Sequence, residues 1–278
     1  MSGRANPYAD DRGNKDRSIT KPGQGGTMGA GTAPEPSDRP AGVNAFLIGE
    51  AMTGGYGSGA DILHDCTIAV DPGQIAVIVG PNGAGKSTAM KAVFGMLNLR
   101  KGSVRLDGED ITALTPQDRV KAGMGFVPQT SNIFPTLTVE ENLEMGAFIR
   151  RDDIRGTMAQ IYDLFPILAD KRRQAAGELS GGQRQQVAVG RALMTKPKVL
   201  MLDEPTAGVS PIVMDELFDR IIEVARTGIP ILMVEQNARQ ALAIADRGYV
   251  LVQGANAHTG TGKELLADEQ VRRSFLGG

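Results

Sequence analysis

One stretch of the chain combines residue types and a spacing that suit phosphate binding: Gly80, Pro81, Asn82, Gly83, Ala84, Gly85, Lys86, Ser87 and Thr88. The spacing Gly-x-x-x-x-Gly-Lys-Ser is that of the P-loop, in which backbone N–H groups point inward around the phosphates. Glycines suit such a loop because a Cβ would intrude on the phosphates. The stretch therefore predicts a nucleoside triphosphate site.

The charge of a triphosphate indicates which groups must neutralise it. A helix N-terminus supplies only about half a positive charge, whereas the triphosphate carries several negative charges. Lys86 and a magnesium ion must therefore supply most of the neutralisation. Ser87 is placed to ligand that ion, and we expect Mg²⁺ as a cofactor.

A second stretch, residues 179–183, has the sequence Leu-Ser-Gly-Gly-Gln. Ser180 and the amides of Gly181 and Gly182 precede a helix, which makes a second anion-binding N-terminus, with Gln183 in its first turn. One protomer does not need two cradles for one triphosphate. An economical explanation is that this second cradle serves the γ-phosphate held on another chain.

Apolar runs predict the strands that position these loops, at residues 75–79, 199–202, 231–234 and 249–252. The run 199–202 ends in Asp203 and Glu204, as expected for a central parallel strand with carboxylates at its C-terminal end. Apolar positions from Val213 to Val224 predict an amphipathic helix after it. Strands that alternate with helices around a P-loop indicate an α/β fold with a mainly parallel sheet.

Other patterns predict a small antiparallel sheet and a helical region. Strands are predicted at residues 45–48, 61–68 and 103–108, with a helix at 115–123 and short helices at 262–278. The helical region, about 130–177, includes a capping-box helix at 138–148 and helical apolar spacing before Pro166, which we expect to stop that turn.

Composition excludes several functions. The formal net charge of −2 over 278 residues argues against a protein that binds nucleic acid through a broad surface. Cys66 is the only cysteine, so no intramolecular disulfide can form, which fits a reducing compartment. His64 and His258, the only histidines, lie far apart in sequence, which argues against a zinc site.

The N-terminal segment, residues 1–42, is rich in glycine, proline and charge, and its composition predicts a disordered tail. No apolar stretch approaches the ~18 residues of a membrane-spanning helix. We expect a soluble protein that is cytoplasmic.

Four groups of residues together resemble the motif set of ATP-binding cassette (ABC) ATPases: residues 80–88, Gln129, residues 179–183 and residues 200–204. The resemblance extends from about residue 44 to the C-terminus. It implies the P-loop NTPase fold of that family, an ABC ATPase domain at 43–278 with a helical subdomain inserted at about 130–177. It also implies that the nucleotide is ATP.

The resemblance implies roles for matching residues. Lys86 would contact the β- and γ-phosphates, and Ser87 would ligand Mg²⁺. Asp203 would hold the magnesium shell, and Glu204 would polarise the attacking water. Gln129 matches the glutamine that senses Mg²⁺ and water and links to the helical subdomain.

Three further positions follow from the same resemblance. Tyr56 fits the aromatic residue that stacks on adenine. Gln236 replaces the family's usual switch histidine; a glutamine amide can donate a hydrogen bond to the γ-phosphate but cannot take up a proton near neutral pH. Ser210 stands where an aspartate is usual, which puts the usual contact of this loop across the dimer in doubt.

Residues 134–143, 234–242, 245–251 and 274–278 resemble the second ATPase subunit of importers for branched-chain or other hydrophobic amino acids. Urea and short-chain amide importers carry closely related ATPases, so both substrates stay open. The resemblance implies membrane permease subunits as partners, a second ABC ATPase subunit that is identical or paralogous, and indirectly a periplasmic or extracellular solute-binding protein. The chain would then lie peripherally on the cytoplasmic face of the membrane.

Two other functions compete with transport. Soluble ABC ATPases of translation usually carry two cassettes per chain, and those of DNA repair carry a coiled coil or a zinc insertion. The chain has neither the length nor the cysteines for these. A small-molecule P-loop kinase would leave residues 179–183 unexplained.

Overall fold

The computed structural model of the protein describes residues 45–275. In chain order the strands are β1 (Leu47–Gly54), β2 (Leu63–Val70), β3 (Ile75–Val79), β4 (Leu99–Leu106), β5 (Glu109–Asp110), β6 (Met124–Val127), β7 (Val199–Asp203), β8 (Ile231–Val234), β9 (Arg247–Val252) and β10 (Ala255–Gly260). The α-helices are α1 (Lys86–Val93), α2 (Pro116–Ala122), α3 (Val139–Gly146), α4 (Arg155–Leu164), α5 (Pro166–Asp170), α6 (Gly181–Leu193), α7 (Pro211–Arg226), α8 (Ala238–Ala243), α9 (Gly262–Ala267) and α10 (Glu269–Phe275).

The strands form two sheets that differ in strand direction. The larger sheet has the order β10-β9-β3-β8-β7-β6. Its strands run parallel except for β10, which pairs antiparallel with β9 at one edge. The smaller sheet has the order β2-β1-β4-β5 and is antiparallel throughout. The predicted α/β fold, with a mainly parallel core sheet and a flanking antiparallel sheet, is confirmed.

The burial of β3 explains why its sequence is continuously apolar. All its residues are buried, and they alternate between two apolar clusters. Ile75, Val77 and Val79 pack with residues of α3 to α7, whereas Ala76 and Ile78 pack with α1 and the smaller sheet. A parallel strand that is covered on both faces is apolar along its whole length. The loop after β3 therefore starts from a strand fixed on both sides.

Helices α3, α4, α5 and α6 lie between β6 and β7 in the sequence. The predicted capping box forms at the start of α3, where the Thr138 hydroxyl accepts from the Glu141 N–H and the Glu141 carboxylate accepts from the Thr138 N–H. Helix α3 ends at Gly146, slightly before the predicted end at residue 148. It lies close to α6, because a Cβ on Gly146 would be 2.1 Å from the Arg191 carbonyl oxygen.

Further details differ from the sequence-based prediction. Helix α4 ends at Leu164, but Pro166 then begins α5 instead of only stopping the chain; proline suits the first position of a helix. Strands β5, β6 and β10 were not predicted, since β5 and β6 are short and β10 lacks a regular apolar alternation.

The predicted disordered tail at 1–42 lies outside the described residues. Within 45–275, none of the helices is both long enough and apolar enough to cross a membrane.

Candidate functional site

Most of the predicted site residues lie at the C-terminal edge of the parallel sheet, whereas Tyr56 and residues 180–183 lie elsewhere. The loop 80–85 follows β3, Gln129 follows β6, Glu204 follows β7 and Gln236 follows β8. Hydrogen bonds between adjacent strands align these ends. The Glu204 N–H donates to the Val234 carbonyl at 2.9 Å, and the Glu235 N–H donates to the Ile78 carbonyl at 3.1 Å. Open parallel sheets bind ligands at this edge.

The glycines of the P-loop are required by its backbone. Gly80, Gly83 and Gly85 have φ values of 147°, 78° and 94°, in the region that favours glycine. A Cβ on Gly80 would lie 2.3 Å from the Leu251 carbonyl oxygen. A Cβ on Gly83 would meet nothing within 4 Å, so only its positive φ favours glycine there. The backbone conformation of the loop therefore depends on glycine at these three positions.

Lys86 is held inside this loop. It is buried, and its Nζ donates to the carbonyl oxygens of Gly80 at 2.9 Å and Pro81 at 3.2 Å. Burial lowers the pKa of the ammonium, whereas the nearby Glu204 and Asp203 carboxylates act to raise it. The Lys86 ammonium is thus placed where a phosphate oxygen can replace the loop carbonyl oxygens as its hydrogen-bond acceptor.

Ser87 and Asp203 meet across the start of α1 and the end of β7. The Ser87 hydroxyl donates to Asp203 Oδ1 at 3.1 Å. Burial raises the pKa of the Asp203 carboxyl, and the hydrogen bond from Ser87 opposes that rise. Magnesium is commonly bound by one or two protein oxygens together with substrate phosphates. A hydroxyl and a carboxylate beside a phosphate cradle fit that ion.

Gln129 and Glu204 form the other polar pair. Gln129 Nε2 donates to Glu204 Oε2 at 2.6 Å. Glu204 has a φ of 47°, an uncommon conformation for a residue with a side chain. Asn132 ties the same loop to α6, since its Nδ2 donates to Gln185 Oε1 at 2.7 Å. The loop that carries Gln129 is therefore connected to both β7 and α6.

Tyr56 lies in the loop between β1 and β2 and is half exposed. The ammonium of Lys91, on α1, lies 6.0 Å from the centre of its ring. The guanidinium of Arg100 donates to the carbonyl oxygens of Gly57 and Gly59 and pairs with Asp61, which fixes this loop. The ring is therefore available for stacking beside the helix that follows the P-loop.

Residues 180–183 form a capped helix start. The Ser180 hydroxyl accepts from the Gln183 N–H at 3.3 Å, and the Gln183 side chain accepts from the Ser180 N–H at 3.2 Å. A Cβ on Gly182 would lie 1.9 Å from Val213 Cγ1, so this position fixes α6 against α7. In the described residues no hydrogen bond joins 180–183 to the P-loop, and Ser180 is exposed.

Gln236 and Ser210 are both exposed. The Gln236 backbone N–H donates to Glu235 Oε2 at 3.1 Å. Ser210 occupies the N-cap position of α7, and its side chain makes no capping hydrogen bond. The structure therefore places Gln236 at the sheet edge with the other site residues and Ser210 at the start of the following helix.

The sequence did not indicate several residues that support the site. Gly254 lies behind the P-loop, where its N–H donates to the Ala84 carbonyl at 2.9 Å. Arg119 is buried and contacts the end of α1, and Glu235 and Thr206 form a buried hydrogen-bonded pair. The signal available for Glu235 was a carboxylate directly after an apolar strand.

Comparisons with known proteins concern the sequence and the fold of the chain. Residues 63–207 match the family model described as ABC transporter. The chain is 43% identical, over 217 residues, to the high-affinity branched-chain amino acid transport ATP-binding protein BraG of Pseudomonas aeruginosa, covering 78% of this chain and 93% of that protein. It is 43% identical to the probable branched-chain amino acid transport ATP-binding protein LivF of Archaeoglobus fulgidus, covering 78% of this chain and 92% of that protein.

Among solved structures, the chain is similar to the ADP conformation of MJ1267, an ATP-binding cassette of an ABC transporter. The TM-score is 0.76 at 30% sequence identity, and the match covers 84% of this chain and 99% of the other.

Proposed function

Since this chain belongs to the ABC transporter family of ATPases, we propose that it is the motor subunit of an importer for branched-chain or other hydrophobic amino acids. The observation that carries the catalytic part is the convergence of two polar pairs beside Lys86. Ser87 contacts Asp203 at 3.1 Å, and Gln129 contacts Glu204 at 2.6 Å. ATP is the substrate and Mg²⁺ the cofactor.

Each residue has a distinct task in hydrolysis. The P-loop amides and Lys86 bind the β- and γ-phosphates. Ser87 and Asp203 would hold Mg²⁺, with Gln129 beside them; bound there, the ion neutralises charge on the phosphate oxygens. Glu204 polarises the attacking water and accepts its proton.

Gln129 and Gln236 orient the reacting groups. Gln129 donates to the Glu204 carboxylate and so directs it. The Gln236 amide donates to the γ-phosphate but takes up no proton near neutral pH, which leaves Glu204 as the general base. Tyr56 stacks on the adenine ring.

The complete site is formed by two chains. The N-terminus of α6, where Ser180 is exposed, carries the amides of Gly181 and Gly182, with Gln183 beside them. A helix N-terminus favours negative charge. Because no hydrogen bond in the described part of the chain joins this segment to the P-loop, we assign it to the γ-phosphate bound by a second ATPase subunit.

The variant Glu204→Gln tests the catalytic assignment. It should bind ATP normally, because the proposal assigns phosphate binding to the P-loop and Lys86 and not to Glu204. Loss of one transition-state group costs roughly 3 kcal/mol or more, over about a hundredfold in rate. Phosphate release and binding of a fluorescent ATP analogue measure the two properties. Near-normal hydrolysis by this variant would remove Glu204 as the base.

An apolar patch on the helical region supports a membrane permease as the partner. Phe134, Met145, Phe148 and Ile149 are exposed, and Phe148 is 82% exposed. The Arg191 side chain joins the parts of this patch, because its guanidinium lies 5.1 Å from the Phe134 ring centre and its Cγ lies beside Gly146. Contiguous exposed apolar residues mark interaction sites. We assign this patch, residues 134–149, to the cytoplasmic surface of a permease subunit.

The substrate assignment rests on BraG and LivF, whose names specify branched-chain amino acid transport. A cassette does not touch the solute, so the test requires the assembled importer. The chain should co-purify with permease and solute-binding subunits, and vesicles that contain them should take up labelled leucine when supplied with ATP. Uptake of urea but not leucine would overturn the substrate, and purification without any membrane subunit would overturn the transport role.

A further inference from the structure

A buried carboxylate lies between the loop after β7 and the residues after β8. Glu235 is 1% exposed. Its Oε1 accepts from the backbone N–H of Thr206 at 3.0 Å and from the Thr206 hydroxyl at 2.8 Å. Its Oε2 accepts from the Gln236 N–H at 3.1 Å. One carboxylate therefore joins two loops of the catalytic edge.

Burial of the Glu235 carboxylate costs folding free energy. In the described part of the chain Glu235 forms no ion pair with a lysine or arginine. Burial raises the pKa of its carboxyl, and the hydrogen bonds from Thr206, Gln236 and Asn237 act in the opposite direction. A buried charge without a counter-ion is weak as a source of stability. We therefore infer the role of Glu235 from the two loops that its carboxylate connects.

One of those loops carries a residue in an unusual conformation. Glu204, the general base of the proposed mechanism, has a φ of 47°. The turn that follows is closed by the Ala207 N–H, which donates to the Glu204 carbonyl at 3.0 Å. Thr206 lies inside this turn, and Glu235 holds both its N–H and its hydroxyl. Strained backbone persists where the surroundings fix it, and it is common at functional sites.

The other loop carries Gln236. Its side chain is exposed at the sheet edge, while its backbone N–H is fixed by Glu235. A displacement of Thr206 can therefore be transmitted to Gln236 through the Glu235 side chain alone.

We propose that Glu235 is a positioning residue for ATP hydrolysis, which holds the turn 204–207 and Gln236 in one fixed arrangement at the γ-phosphate. The inference rests on the roles proposed above for Glu204 and Gln236. It assigns Glu235 no contact with the nucleotide, so it predicts an effect on kcat and not on binding.

The test compares Glu235→Gln, Thr206→Val and Thr206→Ser at a protein concentration where the wild-type rate per chain has reached its plateau. Glu235→Gln keeps an acceptor for Thr206 but turns an NH2 group toward the Gln236 N–H. We expect kcat to fall roughly tenfold to a hundredfold, since small misplacements of reacting groups have effects of that size. The Kd for ATP should stay within about twofold, and the unfolding midpoint should be unchanged or higher.

The threonine variants separate positioning from packing. Thr206→Ser keeps the hydroxyl and should retain kcat within about twofold, whereas Thr206→Val should lose about fivefold or more. The double variant Thr206→Val/Glu235→Gln should be no slower than the slower single variant, because both substitutions interrupt the same connection from Thr206 through residue 235 to Gln236. Thr157→Val is the matched control: Thr157 is also buried, and its hydroxyl accepts from Arg150 in the helical region.

The outcomes distinguish the two proposals. Absence of ATPase activity in the assembled importer that contains the wild-type chain would overturn the proposed function. An active wild-type chain with Glu235→Gln at an unchanged kcat would overturn only the positioning role. Equal losses of kcat in Thr206→Ser and Thr206→Val, or in Thr157→Val and Thr206→Val, would overturn it as well.

Discussion

Replacing Arg119 should destabilise the protein more than any exposed arginine would. Its side chain is 2% exposed and donates to four carbonyl oxygens. Two of them, of Ala92 and Val93, belong to the last turn of α1. The other two, of Leu114 and Thr112, lie in the chain before α2. Arg119 therefore caps the helix that begins with Lys86 and Ser87.

The magnitude follows from these bonds. Hydrogen bonds of charged groups contribute about 1.5–3 kcal/mol each. The two bonds to the buried end of α1 thus correspond to roughly 3–6 kcal/mol. Burial of the charge offsets part of this; it lowers the pKa of Arg119 to about 10, although the guanidinium stays protonated at neutral pH. We expect Arg119→Met to cost about 3 kcal/mol, or roughly 6–12 °C in Tm for a domain of this size.

Thermal unfolding by circular dichroism measures this effect, with Arg105→Met as the control. Arg105 is more exposed and pairs with Glu50 at 2.9 Å, and such pairs contribute at most about 1 kcal/mol. Arg119→Lys should fall between wild type and Arg119→Met, since one ammonium cannot reach carbonyls on both segments. An Arg119→Met midpoint no lower than that of Arg105→Met would refute the reasoning.

Three further predictions concern other parts of the chain. Gln236→His should retain hydrolysis within about tenfold, because an imidazole can also donate to phosphate; complete loss of phosphate release would contradict the positioning role. Burial raises the pKa of Asp203, so the folded state holds its proton more tightly than the unfolded chain and ionisation at neutral pH costs stability. Asp203→Asn should therefore unfold at an equal or higher temperature while losing Mg²⁺-dependent hydrolysis, and a clearly lower midpoint would contradict this. From composition alone, deleting residues 1–42 should leave the unfolding midpoint within about 1–2 °C, and a large drop would show that the tail packs.

The parallel strands β3, β7, β8 and β9 could be predicted because burial on both faces leaves a continuous apolar run. Residues 75–79 and 231–234 match β3 and β8 at both ends. The P-loop and the carboxylates after β7 could be placed for the same reason, since each follows such a run. Helix caps could also be predicted, because they depend on local sequence. Thr115 and Gly123 are the N-cap and C-cap of α2, as the sequence predicted.

The supporting contacts could not be predicted, because they join residues that are distant in sequence. Arg119 lies in a helix with charged neighbours, and its spacing resembles that of a surface residue. Its partners at 92 and 93 lie on another helix. Gly254 is required because a Cβ there would lie 1.7 Å from the Ile62 carbonyl oxygen. Such contacts follow from the packing of elements that are distant in sequence, and they leave no local pattern.

The central claim is that residues 80–88 form half of a site and that residues 180–183 of a second chain complete it. The most direct test measures the ATPase rate per chain across protein concentrations, with sedimentation velocity giving the oligomeric state at each. The monomer should bind ATP readily and hydrolyse it poorly, and the rate per chain should rise as two ATPase subunits associate. Full turnover by a chain shown to be monomeric would contradict the claim.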